Sequence, residues 1–240
     1  MKPTFNIILL ILAAITLSAQ KYDYNWYTGY VSSKDKYYFP YGIMHWQFNT
    51  ASGNPMFTLD SFKNIEFERN LNNVSDRDGN FLFNFNGGYL ENYKNKPIPN
   101  GRLNSFDYLG QFSQMSVVLP SSNSDEYNIF YKTAYVYGKF VGSQNILAST
   151  ININRLSEGV VKSKAQIIAS DTFHVKGINA VQHANGYDWW LLDFEELNAS
   201  YYNILMRNLI ILNTTYLNSG LYFHNTINQL IFSPNGEYLA

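Results

Sequence analysis

The sequence predicts an all-β protein, and three observations support that fold class. Apolar residues alternate with polar ones over short segments, as at Phe81, Phe83 and Phe85, and a period of two is typical of a half-buried strand. Aromatic residues make up 17% of the chain, and aromatic side chains favour strands. Asn-Gly and Asp-Gly pairs separate the segments and favour tight hairpin turns, because these residues accept a positive φ.

The predicted elements are short strands that follow one another along the chain. They lie at residues 65–68, 81–85, 116–119, 127–136, 146–153, 178–182, 187–194, 201–206, 209–212 and 230–232, with another beginning at Tyr238. The predicted turns are Asp78-Gly79, Asn86-Gly87-Gly88, Asn100-Gly101, Asn185-Gly186 and Asn235-Gly236. No strand–helix alternation is present, so the pattern predicts antiparallel sheets built from hairpins.

The first twenty residues predict export. Lys2 precedes an apolar run over residues 7–15, and small or polar residues follow up to Ala19. This order is typical of a secretory signal peptide, and the run is shorter than the roughly 20 residues that cross a bilayer. We therefore expect a signal peptide over residues 1–20, cleaved near Ala19 or Gln20, with an uncleaved anchor as the alternative. The remaining domain, residues 21–240, is expected to be secreted or at the cell surface, with no transmembrane span.

Composition excludes several classes of function. Charged residues are 15% of the chain and the formal net charge is −1, which becomes −2 once Lys2 is removed. No basic stripe is available for phosphate contacts, so we expect no nucleic-acid partner. Cysteine is absent, which excludes thiol catalysis and leaves the fold dependent on packing rather than on disulfides.

Turn-containing hairpins recur about every 50 residues, which is the spacing of four-stranded propeller blades. Residues 232–240 resemble the final hairpin of TolB-type and WD-repeat-like β-propellers. With residues 46–48, 75–87 and 177–190, the chain resembles the N-terminal propeller-like module of large Bacteroidetes proteins exported by type IX secretion. The resemblance implies a blade scaffold outside the cell and supplies no catalytic residue. Because the sequence stops at Ala240, early in a blade, we expect a partial or incomplete propeller, with a β-sandwich as the alternative.

Two clusters of polar residues are candidate metal sites, and neither has the required pattern. Asp76, Asp78 and Asn80 alternate as in a calcium loop, but Phe81 stands where an EF-hand needs glycine. A hairpin turn is the favoured interpretation, with weak calcium binding as the alternative. Asp188 and Asp193 differ by an odd number, so on a regular strand they face apart, and His183 is expected to support a loop rather than a metal.

The carboxylates Glu195 and Glu196 are adjacent, so they supply at most one member of a glycosidase pair, which needs two carboxyls flanking one bond. We interpret them as a solvated strand end. The chain also lacks a Gly-x-Ser-x-Gly elbow, a glycine-rich phosphate loop and a His-Glu-x-x-His helix. We therefore predict no catalytic, cofactor-binding or metal-binding residues and no cofactor.

These observations favour a non-enzymatic exported module for adhesion, scaffolding or protein interaction. The first alternative is a carbohydrate-binding module that uses exposed aromatic residues such as Trp26, Tyr27 or Trp189. The second is a divergent glycoside hydrolase or lyase. The partner is accordingly an unknown protein or glycan, because a fold alone does not determine a ligand.

Overall fold

A computed structural model describes residues 24–29, 43–48, 53–60, 65, 70–104, 114–133, 135–137, 140–174, 177–195 and 200–218. These residues form strands and no helix. The strands are β1 (Asn25–Gly29), β2 (Ile43–Gln47), β3 (Met56–Asp60), β4 (Asn72–Ser75), β5 (Phe81–Phe85), β6 (Tyr89–Asn92), β7 (Pro97–Arg102), β8 (Ser116–Pro120), β9 (Glu126–Lys132), β10 (Tyr135–Tyr137), β11 (Phe140–Asn152), β12 (Val160–His174), β13 (Asn179–Gln182), β14 (Trp189–Glu195), β15 (Ser200–Arg207) and β16 (Ile210–Asn218).

The strands form three antiparallel sheets, which confirms the all-β, hairpin-built fold class. A three-stranded sheet has the order β1-β2-β3, and a four-stranded sheet has the order β4-β5-β6-β7. A nine-stranded sheet has the order β16-β15-β14-β12-β11-β9-β8, with β10 paired to β11 and β13 paired to β14. The four-stranded sheet is a meander like a propeller blade, and two sheets packed face to face also form a sandwich, so these sheets are compatible with both predicted architectures.

The first hydrophobic cluster joins the four-stranded sheet to one face of the nine-stranded sheet. Phe83 and Phe85 of β5 meet the edges of Tyr127 and Tyr131 of β9, with ring centroids 5.6 and 6.0 Å apart. Edge-to-face contacts of this kind are favoured by the quadrupoles of the rings. The cluster consists of Leu82, Phe83, Phe85, Leu90, Ile98, Leu103, Tyr127, Ile129, Tyr131, Leu147, Ile151 and Ile153.

The second hydrophobic cluster covers the opposite face of the nine-stranded sheet. Successive side chains of a strand point to opposite faces, so Phe130 of β9 lies on the far side from Ile129 and joins Ala148, its partner in β11. The cluster contains Leu119, Phe130, Ile146, Ala148, Ile168, Ala169, Phe173, Ile178, Leu191, Ile204 and Met206. Strands β9 and β11 are therefore buried on both sides. We call the space filled by this second cluster the inner layer.

Curling of the nine-stranded sheet creates the inner layer. The long hairpin of β11 and β12 contains several register shifts, and such bulges bend a strand and increase its twist. At one of them Ala165 has a φ of 57°, and its N–H donates to the Ser149 hydroxyl at 3.0 Å. As a result β13 lies beside β8, where the Ile178 N–H donates to the Gln114 carbonyl at 2.9 Å.

Three of the five predicted turns are confirmed, one is wrong and one, Asn235-Gly236, lies outside the described residues. Gly79, Gly87 and Gly186 have positive φ values between their strands. Asn100-Gly101 instead lies within β7, where a register shift against β6 makes an irregular bulge. Asn100 takes a φ of 58° there, and a Cβ on Gly101 would stand 2.7 Å from the Ile98 carbonyl oxygen. The same left-handed conformation that favours a turn thus produces a bulge.

The sequence-based prediction lacks six of the strands, β1, β2, β3, β6, β7 and β12. The longest of them is β12, which spans fifteen residues. Lys162, Lys164 and Gln166 lie exposed along it, and these residue types are not typical of strands.

The predicted signal peptide at residues 1–20 lies outside the described residues, as do residues 66–68 and 230–240. In the part of the chain that is described, no helix has the length and apolar character of a membrane span.

Truncation of the buried ring in β5 is expected to destabilise the fold strongly. Phe83 is 0% exposed, and a Phe→Ala change in a core costs about 3–5 kcal/mol. Urea unfolding of the Phe83→Ala variant should show this loss, whereas Phe57→Ala in β3, where the ring is 59% exposed, should change the free energy of unfolding by less than about 1 kcal/mol. Equal losses in the two variants would contradict the assignment of the core.

Candidate functional site

Three hairpin turns converge at one end of the nine-stranded sheet. They are residues 121–125 between β8 and β9, residues 183–188 between β13 and β14, and residues 208–209 between β15 and β16. Binding residues are often carried by loops held on a rigid scaffold. We call this region the three-turn surface and define it by Ser121, Ser122, Gln182, Tyr187, Trp189, Arg207 and Asn208.

Asn208 holds the first and third turns together. Its Oδ1 accepts hydrogen bonds from the Ser121 hydroxyl at 3.3 Å and the Ser122 N–H at 3.2 Å. Its Nδ2 donates to the Ser122 hydroxyl at 3.2 Å. Asn208 also has a φ of 52°, a conformation that asparagine tolerates better than most residues. A single residue therefore forms the third turn through its backbone conformation and joins it to the first turn through its side chain.

Arg207 and Asp188 join the second and third turns. Arg207 Nε lies 2.6 Å from Asp188 Oδ1, and Nη2 lies 3.2 Å from Oδ2. Such a two-point contact between a guanidinium and a carboxylate fixes orientation as well as distance. The hydrogen bonds from Arg207 and then from Asn185 hold the pKa of Asp188 below its usual value. The Asp188 side chain is 5% exposed and that of Arg207 is 54% exposed, so the cation stays accessible to a ligand.

The remaining residues of the second turn organise its backbone. His183 Nδ1 lies 3.2 Å from the Asn185 N–H, which donates to it, and the Asn185 side chain accepts from the N–H groups of Tyr187 and Asp188. His183 therefore has the loop-supporting role that the sequence favours. Asp188 and Asp193 bind different partners and do not converge, as their spacing predicts.

A pocket of about 190 Å³ opens on the three-turn surface between these turns. It is lined by residues with aromatic, hydroxyl and cationic side chains, among them Tyr187, Trp189, Ser121, Ser122 and Arg207. Tyr187 is 76% exposed, whereas Trp189 packs partly against the inner layer. The combination of an aromatic face with several fixed donors and acceptors suits a polar organic ligand.

The three aromatic residues proposed from the sequence differ in availability. Trp189 lines the pocket, and Trp26 of β1 is 49% exposed. Tyr27 is 7% exposed and stacks on His45, with ring centroids 4.1 Å apart. The expectation that Tyr27 presents its ring to a ligand is wrong, because its side chain alternates to the face opposite Trp26.

The Asp76–Asn80 segment is a hairpin turn in which the polar groups satisfy one another. Asp76 Oδ1 accepts from the N–H groups of Asp78 and Asn80 at 3.0 and 2.9 Å, and the Asn80 amide donates to both carboxylate oxygens of Asp76. This arrangement supports the turn that the sequence favours. Across the described ranges, no cluster of three or more histidine or acidic side chains has the geometry of a metal site.

A buried ion pair lies in the inner layer. Lys132 Nζ, at the end of β9, lies 2.8 Å from Asp193 Oδ1 of β14, and both side chains are 0% exposed. Burial lowers the pKa of Lys132. Burial also raises the pKa of Asp193 to about 6, although the Lys132 charge acts in the opposite direction. Both changes favour the neutral forms, which cost less to bury than charges do.

Glu195 corrects the sequence-based interpretation of the Glu195-Glu196 segment. Glu195 is 0% exposed and therefore is not part of a solvated strand end. It lies two residues after Asp193 on the regular strand β14, so both carboxyls point to the inner layer. Glu196 lies outside the described residues.

Three side chains of these sites are absent from the sequence-based prediction, namely Lys132, Arg207 and Asn208. The sequence did carry a signal for Lys132. It lies two residues after Phe130 and therefore points to the same, inward face of β9. For Arg207 and Asn208 the partners are 19 and 86 residues away, and nothing in the local sequence indicates them.

Comparison of the chain with protein-family models, with curated proteins and with solved structures gives no match. The resemblance to exported propeller modules therefore stays a prediction.

Removal of the Arg207 guanidinium is expected to give a pH-dependent loss of stability. Because the folded-state pKa of Asp188 lies below the unfolded value of 3.8, its contribution is present above that value and is lost as the pH falls through the folded-state pKa. Urea unfolding should therefore show a gap between the wild type and Arg207→Met near neutral pH that closes in acid. Lys164→Met, which removes an exposed cation of β12, is the matched control, and a gap independent of pH would contradict the assignment.

Proposed function

We propose that this chain is a non-enzymatic exported module for adhesion or protein interaction, with a partial propeller as its scaffold and the three-turn surface as its binding site. Export rests on the signal-peptide pattern of residues 1–20. The observation that carries the proposed site is the mutual fixation of three separate turns by Asn208 and by the Arg207–Asp188 pair. A surface whose shape is set before binding loses little conformational entropy on association.

The exposed chemistry of this surface supports a protein ligand. Tyr187 and Arg207 are prominent there, and tyrosine and arginine are enriched among residues that dominate binding energy. The guanidinium is oriented by Asp188 and retains donors that point away from that carboxylate. A peptide segment with an acidic or carbonyl group beside an apolar side chain would match this arrangement.

A carbohydrate is the second candidate ligand, and the pocket itself favours it. Sugar rings offer an apolar face to an aromatic side chain and hydroxyl groups to amides and hydroxyls. Tyr187 and Trp189 supply the aromatic component, while Ser122, Gln182 and Asn208 supply the polar one. The pocket volume of about 190 Å³ suits one monosaccharide unit or the end of a chain.

A hydrolase or lyase has less support from the described carboxylates. Asp188 is engaged with Arg207 and Asn185, and Asp193 and Glu195 are buried. A reaction at a glycosidic bond needs two carboxyls that face the same substrate, and of these three carboxyls Asp188 alone lies at the three-turn surface.

Binding through this surface is tested by one substitution at the most exposed ring. Peptides selected from a random phage-displayed library on the wild type, and glycans bound on an array, are titrated against Tyr187→Ala. We expect a loss of affinity of about tenfold or more, because truncation of a central tyrosine commonly costs that much. Loss with peptides supports the first candidate and loss with glycans supports the second.

The matched control is Leu156→Ala, since Leu156 is 96% exposed on the β11–β12 loop and lies outside the three-turn surface. Its affinity should equal that of the wild type. Ligands that bind the wild type and Tyr187→Ala equally well, or no selected ligand at all, would refute the proposed site.

A further inference from the structure

Lys132 and Asp193 face each other across the inner layer, and the strands that carry them do not pair with each other. Lys132 is carried by β9 and Asp193 by β14, and these strands are not neighbours in the sheet order. The two residues are 61 positions apart, and Nζ and Oδ1 are 2.8 Å apart. An amine and a carboxyl held at this distance on opposed strands are already placed for a reaction between them.

The surroundings remove the usual obstacle to that reaction. In water an ammonium and a carboxylate do not condense, because the amine has no free electron pair and the carboxylate is a poor electrophile. Here both side chains are 0% exposed, and Lys132 is paired in the sheet with Ile146, a member of the second hydrophobic cluster. Passage of the ammonium proton to Oδ2 of Asp193 gives a neutral amine and a neutral carboxylic acid whose carbonyl oxygen is Oδ1. Burial shifts both pKa values in the direction of those neutral forms.

The two oxygens of Asp193 have different environments. Oδ1 accepts hydrogen bonds from Lys132 Nζ and from the Phe194 backbone N–H, each at 2.8 Å. Oδ2 is buried and accepts no hydrogen bond from any described residue. A backbone donor on one oxygen stabilises the negative charge that develops there during attack on the carboxyl carbon. The other oxygen is then the one positioned to leave.

We propose that Lys132 and Asp193 join in an intramolecular amide bond that links β9 to β14. The Lys132 nitrogen forms a bond to Cγ of Asp193, and the bond from Cγ to Oδ2 breaks. Oδ2 leaves as water with one proton from the amine and one from the carboxyl group, so no oxidant or other reactant is consumed. Oδ1 stays as the amide oxygen and keeps its hydrogen bond from Phe194.

Glu195 is assigned the role of proton carrier. It lies two residues from Asp193 on the same face of β14, a separation of about 7 Å along a strand, and it is also 0% exposed. A second carboxyl in the same dry region offers a site for the proton that moves from nitrogen to the departing oxygen.

The amide bond between Lys132 and Asp193 would tie the two halves of the curled sheet together covalently. A module that adheres under mechanical load would gain resistance to unfolding from it.

The mass of the purified wild-type protein tests the bond directly. Under denaturing conditions the chain should be lighter by one water molecule than its sequence requires. Proteolysis should give one branched peptide that contains both Lys132 and Asp193. Lys162 and Glu126 form an exposed ion pair, and their peptides should remain separate in the same digest. A wild-type chain of full mass with separate Lys132 and Asp193 peptides would overturn the proposal, and this result does not depend on any variant folding.

Variants identify the atoms involved. Lys132→Met and Asp193→Ala should each restore the full mass, whereas Lys162→Met should still lose water. Glu195→Gln is nearly isosteric and should leave a large unlinked fraction while its circular dichroism spectrum matches that of the wild type. A Glu195→Gln protein that links as completely as the wild type would overturn the role given to Glu195. Loss of water in Lys132→Met would overturn the assignment of the bond.

Discussion

Burial of β9 and β11 on both faces is the constraint on which the rest of the structure depends. One face of β9 presents Tyr127, Ile129 and Tyr131 to the four-stranded sheet, and the other presents Phe130 to the inner layer. Strands that are covered on both sides lose the simple alternation of apolar and polar residues. The two layers therefore share one central pair of strands, and a change on either face is transmitted to the other through the same backbone.

This constraint also explains where polar side chains accumulate. The β11–β12 hairpin bends, and Lys132 of β9 meets Asp193 of β14 across the inner layer. The polar groups at the ends of those strands, Lys132 and Asp193, are then enclosed and form an ion pair with each other. The turns at the end of the same sheet converge for the same reason, so the three-turn surface is a consequence of curling rather than of any local motif.

The sequence predicted part of the local structure and little of the tertiary arrangement. Phe81, Phe83 and Phe85 form the strand that their spacing indicates, and Gly186 makes its turn, because these signals are local. The strand β12 was missed because Lys164 and Gln166 are exposed there and favour strands weakly. Asn100-Gly101 was misinterpreted because a left-handed residue serves a bulge as well as a turn. The contacts of Lys132 and Asn208 join distant parts of the chain, and no spacing rule reports them.

Hydrogen exchange of the backbone amides, followed residue by residue, tests the central position of β9 and β11 most directly. Amides of a pair that is buried on both faces should exchange only through global unfolding and should be the slowest in the molecule. We expect this slow exchange for Ile129, Phe130 and Ala148, and much faster exchange in β16, where Ile210 is 66% exposed. Exchange of β9 and β11 as fast as that of β16 would contradict the claim that the two layers are built on this pair.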